Sequence, residues 1–84
     1  MYPRLLSKAE EAMAPNIHLL DVVAVTADLP DKGLRRGQVG TVVETFSPEV
    51  FEVEFSDDQG RTYAQLALAS SQLMVLHYQP DHVA

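Results

Sequence analysis

The spacing of apolar and polar positions changes period once along this chain. Up to Asn16 the apolar residues recur at helical intervals, with Leu5, Leu6, Ala9, Ala12 and Met13 on one side. Pro3 suits a first helical turn, Ser7 with Glu10 matches a capping box, and Pro15-Asn16 ends the run. This predicts a short amphipathic helix within residues 1–16. It falls short of the roughly 12–15 residues an isolated helix needs in water, so its apolar side must dock on its own domain, a partner or a second copy. Leu5, Leu6, Ala9 and Met13 are the candidate oligomerisation contacts.

From Ile17 onward the period is two. "HLLDVVAVTA" is apolar and β-branched, "QVGTVVETF" alternates in part, and "VFEVEF" alternates strictly, with Phe51, Val53 and Phe55 on one face. "SDDQG" supplies turn formers before a fourth run, "RTYAQLAL", so the third and fourth strands should form a hairpin. A short "SSQ" turn precedes a fifth, "LMVLHY". Five short strands with one long early loop, "DLPDKGLRRG", predict a mainly β fold: a small five-stranded antiparallel SH3-like barrel over 17–78, with a C-terminal tail over 79–84.

The segment "GLRRGQVGTVVE", Gly33 to Glu44, holds three glycines and two arginines ahead of a strand. Neither a phosphate loop nor a dinucleotide fingerprint fits, because both need a different spacing and a helix following the glycines. Gly33 and Gly37 are expected to shape the loop, and Gly40 to let the second strand bend.

The pattern from Leu19 to Leu76, "LLDVVAVTADLPDKGLRRGQVGTVVE" followed by "FEVEFSDDQGRTYAQLALASSQLMVL", resembles an uncharacterised domain-of-unknown-function family of short bacterial proteins. The resemblance implies an SH3-like barrel and a small companion protein, with no reaction to carry over. Residues before Ile17 lie outside it, and "MAPNIHLLDVV" would allow a start at Met13. More distantly, "RRGQVGTVVE" is similar to the KOW-type element of ribosomal proteins and transcription elongation factors, which implies RNA contact at a glycine-bearing turn.

Charge weighs against that second implication. Twelve acidic and six basic residues give a formal net charge of −6, and such a surface repels phosphate backbones. Three of the six basic residues, Lys32, Arg35 and Arg36, nevertheless fall within five positions and are the candidates for RNA contact. With no cysteine there is no disulfide, thiolate metal site or thiol nucleophile. His18, His77 and His82 lack metal-ligand spacing, and Glu52 with Glu54 read as the solvent side of a strand. No cofactor, metal or catalytic residue is expected. Nor is there a leader or membrane-length apolar run, so a cytoplasmic location is expected.

What remains is binding. A loop carrying Leu29, Pro30, Leu34, Arg35 and Arg36 suits a protein interface, because arginine among apolar neighbours is enriched at binding hot spots. The alternative is that Leu29 and Leu34 tuck inward while the arginines offset Asp28 and Asp31. The expected role is therefore a non-catalytic interaction or accessory module with a protein partner, RNA binding being the alternative. Homodimerisation through the helix or a barrel edge is a further expectation.

Overall fold

A computed structural model describes residues 16–78 and Pro80. The helix expected before Ile17, with Leu5, Leu6, Ala9 and Met13, lies outside the described residues, as does His82.

The five strands expected from the period-two segments are all present: β1 Val22–Val25, β2 Val39–Ser47, β3 Val50–Ser56, β4 Thr62–Ala69 and β5 Leu73–Val75. They form one antiparallel sheet in the order β4-β3-β2-β1-β5. Among the described residues there is no α-helix, only two short 3₁₀ turns, Pro30–Lys32 and Ser70–Gln72. The connections follow the turn chemistry of the sequence. Pro48-Glu49 joins β2 to β3, with Ser47 opposite Val50. In the β3–β4 turn, Asp57 accepts the backbone N–H groups of Gln59 and Arg61 and the Arg61 guanidinium, at 2.9, 2.9 and 3.1 Å. The Arg61 N–H chiefly holds the Asp57 carboxyl below its ordinary pKa; desolvation opposes it, and the Gln59 N–H and the Arg61 guanidinium add smaller lowering effects.

The core draws on every strand: Val23 and Val25 from β1, Val42 from β2, Phe51, Val53 and Phe55 from β3, Leu68 from β4 and Leu73 from β5 form one cluster with Ile17 and Leu34. A single sheet can enclose side chains this fully only by curling over its own face. The curl does not close. β4 and β5 are the two ends of the pairing order, so the barrel expected from the strand count is an open one. β5 is only three residues long and pairs with β1 alone, which leaves too little strand to join the ends.

Gly40 contributes in a different way from the bend expected of it. It stays in register with Val23 on one side and Phe55 on the other. A Cβ there would lie 2.7 Å from Val53 Cγ1, 2.8 Å from the Glu54 carbonyl oxygen and 2.9 Å from Phe55 Cδ1. The glycine is therefore a place of close approach, over which the β3 side chains fold. The irregularities of β2 come later, as register shifts between Val42 and Glu44 and between Thr45 and Ser47. Val43 and Phe46 are the extra residues, and bulges of this kind increase local twist and turn side chains outward.

The first strand is shorter than its apolar run. Residues 18–21 form a turn in which the Asp21 N–H donates to the His18 carbonyl at 3.0 Å, and Asp21 Oδ2 accepts the His18 N–H at 2.8 Å. Leu20 sits in this turn with φ of 71°, the left-handed region, and its side chain is 70% exposed. That conformation costs a leucine about 1–2 kcal/mol, part of which glycine returns as unfolded-state entropy. Leu20→Gly should accordingly stabilise the domain by about 0.5–1 kcal/mol, read as a melting temperature higher by a few degrees. An unchanged or lower melting temperature would show that the leucine side chain makes a compensating contact.

Candidate interaction surface

The loop from Thr26 to Gln38 is built from two turns, one on each side of a buried anchor. Leu29 and Leu34 face each other as a two-residue bridge, Leu29 N–H to Leu34 O at 2.8 Å and Leu34 N–H to Leu29 O at 3.1 Å. Between them the Pro30–Lys32 3₁₀ turn is closed by Gly33, whose φ of 70° is left-handed and whose N–H donates to the Pro30 carbonyl. Leu34 is only 2% exposed and belongs to the core, and Leu29 is half-buried against it. Of the two placements open to these leucines, contact with a partner or packing inward, Leu34 takes the second. It fastens the loop to the sheet.

The second turn runs from Arg35 to Gln38. Gly37, with φ of 92°, occupies its third position, the Gln38 N–H donates to the Arg35 carbonyl at 3.1 Å, and Gln38 Oε1 accepts the Arg35 N–H at 2.6 Å. Gly37 N–H then donates to the Val25 carbonyl at 2.7 Å, tying the turn to β1. Asp28 Oδ1 accepts the backbone N–H of Arg36 at 2.9 Å. So the aspartate meets the arginine's main chain, leaving its charged head elsewhere. Among the described residues, no carboxylate stands within 4 Å of the Lys32, Arg35 or Arg36 side-chain nitrogens; the ion pairs found are His18–Asp21 and Arg61–Asp57. Pro30, Lys32, Arg35 and Arg36 are all exposed. The structure thus brings together an apolar proline and three cations on a loop whose backbone is held by hydrogen bonds on both sides.

A second surface lies toward the other end of β2 and was not legible in the sequence. An open groove of about 580 Å³ is lined by Ile17, His18 and Leu19 from the entry turn and by Thr45, Phe46, Pro48 and Phe51 from the β2–β3 hairpin. Phe46 is 57% exposed because it is a bulged residue, and a strict period of two would have assigned it to the core. The only trace in the sequence was the imperfect alternation of "QVGTVVETF".

The outer sheet face is acidic. Glu54 lies opposite Thr41 on one side and Gln65 on the other, and Glu52 lies between Glu44 and Ala67. Glu44 and Glu52 are like charges placed directly opposite, an arrangement that costs some sheet stability. Among the described residues, no group of three His, Cys, Asp or Glu side chains is placed to hold a metal, and no buried polar side chain is left without a partner. No helix among them is long and apolar enough to cross a membrane.

Comparison with known families bears on the same stretch. The family profile described as "Domain of unknown function (DUF4926)" matches residues 19–75, from the entry turn to the end of β5. The chain belongs to that family. The matched DUF4926 segment contains the whole sheet, the cationic loop and most of the groove lining. Neither a curated protein nor a solved structure gives a significant match.

Proposed function

We propose that this DUF4926 chain is a non-catalytic interaction or accessory module of the cytoplasm, an open SH3-like barrel that presents Lys32, Arg35 and Arg36 to an acidic patch on a protein partner. The strand order, the long first loop and the 3₁₀ turn before a short last strand support the SH3-like reading. The observation that carries the functional reading is the contrast within one loop. Its main chain is capped, bridged and anchored, while its three cationic side chains meet no carboxylate among the described residues. A preorganised backbone reduces the ordering cost of association, and arginine offers bidentate hydrogen bonding to carboxylates. Contact with the RNA backbone through the same cations is the competing reading, opposed by Glu44, Glu52 and Glu54 on the outer face.

The test is affinity capture from the producing organism with the wild type and with Arg35→Glu/Arg36→Glu. The positions are exposed, so the variant should keep its stability to within about 0.5 kcal/mol. It should lose a specific protein by tenfold or more, roughly what removing one or two charged hydrogen bonds costs. Recovery by the wild type of nuclease-sensitive RNA in place of protein would favour the competing reading. Equal capture by both baits would remove the loop from the account.

A further inference from the structure

The two edges of the sheet are treated differently. β5 is blunted by being three residues long, a common device against edge-to-edge pairing. β4 is not. Its eight residues, "TYAQLALA", carry no charge and no proline, and from Ala64 to Ala69 they run in continuous register with β3. Among the described residues, the far side of β4 pairs with no other strand. An unprotected edge of this length is unusual in a natural sheet, and on a chain of net charge −6 an uncharged edge strand stands apart from its surroundings.

We propose that β4 is the dimerisation edge, pairing antiparallel with β4 of a second copy about a two-fold axis at Gln65. The occupant follows from the self-complementarity of the strand. With Gln65 opposite its own copy, Ala64 meets Leu66 on both sides of the axis, so the large side chain faces a small one. The pairing also keeps the faces in phase. Gln65 and Ala67 are exposed on the outer side, while Ala64 and Leu66 are part-buried against the core and would continue its apolar row across the axis. The two Gln65 amides can hydrogen-bond each other. The carboxylates do not obstruct the approach, because Glu52 and Glu54 lie on β3, one strand in from the edge. Across the axis the two β3 strands are separated by three strand spacings of about 4.8 Å, beyond the Debye length at physiological salt. A basic extended peptide, the other kind of strand such an edge could accept, would dock more weakly as salt rises, whereas the contact between two acidic copies strengthens.

This proposal does not rest on the reading of the cationic loop, although the two meet where Gln38 Nε2 donates to the Tyr63 hydroxyl at 3.3 Å. Its test is sedimentation equilibrium of the full chain from micromolar to millimolar concentration, at low and at moderate salt, together with hydrogen exchange of the β4 amides. The expected result is a species of twice the 9.3 kDa chain mass that tightens with salt, and β4 amides that become protected as the dimer forms. Gln65→Lys is the discriminating variant. In the monomer the lysine faces Glu54 and supports the fold, but at the axis it faces its own copy, and association should weaken by roughly tenfold. A chain that stays monomeric throughout would overturn the proposal. So would a dimer that is unaffected by Gln65→Lys, or one that leaves β4 exchange unchanged.

Discussion

Leu34→Ala is expected to destabilise the domain by about 3 kcal/mol, although residue 34 sits in a loop, and to lower the melting temperature by roughly 12–24 °C. Loop residues are usually tolerant because they are solvated. Leu34 is 2% exposed and packs in the same cluster as Phe55 and Val25. Removing its side chain leaves a cavity that the bridge to Leu29 prevents from collapsing, since both main-chain hydrogen bonds hold residue 34 where it is. The variant alters no surface charge and leaves the hydrogen bonds of the Arg35–Gln38 turn in place, so the folded fraction should keep its partner capture. Thermal unfolding checks the destabilisation. A loss under 1 kcal/mol would mean that the loop is not anchored as described.

Gly40→Ala is the second large effect, about 2–3 kcal/mol of destabilisation from the addition of one methyl group. Alanine at a strand position usually gains a few tenths to 1 kcal/mol over glycine, so the expected sign here is the reverse of the ordinary one. The reason is what the methyl meets. Val53 and Phe55 could in principle turn aside, but the Glu54 carbonyl oxygen at 2.8 Å is main chain, held in the β2–β3 ladder. Relief requires the two central strands to separate. Chemical denaturation should show a lower midpoint with an unchanged m-value. A midpoint at or above that of the wild type would show that β2 and β3 have room the structure does not give them.

Much of this architecture can be read from the residues, and the parts that cannot have identifiable causes. The five strands follow from alternation and turn formers, and "VFEVEF" places Phe51, Val53 and Phe55 inward without ambiguity. The start of β1 does not follow. Leu19 and Leu20 extend the apolar run, but hydrophobic periodicity carries no information about φ, and the His18–Asp21 hydrogen bonds turn the chain before Val22. The bulges at Val43 and Phe46 are hidden because each shifts the phase of alternation by one residue, which in sequence looks like noise. A glycine inside a strand pattern marks Gly40 as special, yet a glycine that bends a strand and one that is overlaid by its neighbours have the same letter. Openness of the barrel depends on whether β4 and β5 meet, a long-range contact that local patterning does not encode.

The candidate site divides along the same line. Clustering of Lys32, Arg35 and Arg36 is plain in the sequence. That Asp28 takes the Arg36 N–H and leaves the guanidinium alone is a matter of geometry between residues eight apart. Leu34 could be read as contact or as anchor, and burial decides for anchor.

Contact between the Arg35–Gln38 turn and the partner is what the proposed function requires. It is tested most directly by amide-resolved NMR of the labelled chain as the captured protein is added. Shifts centred on Asp28 and on Lys32 to Gln38, diminished by added salt, are expected. Shifts confined to the Ile17–Leu19 and Thr45–Pro48 groove, with the turn unmoved, would contradict that contact.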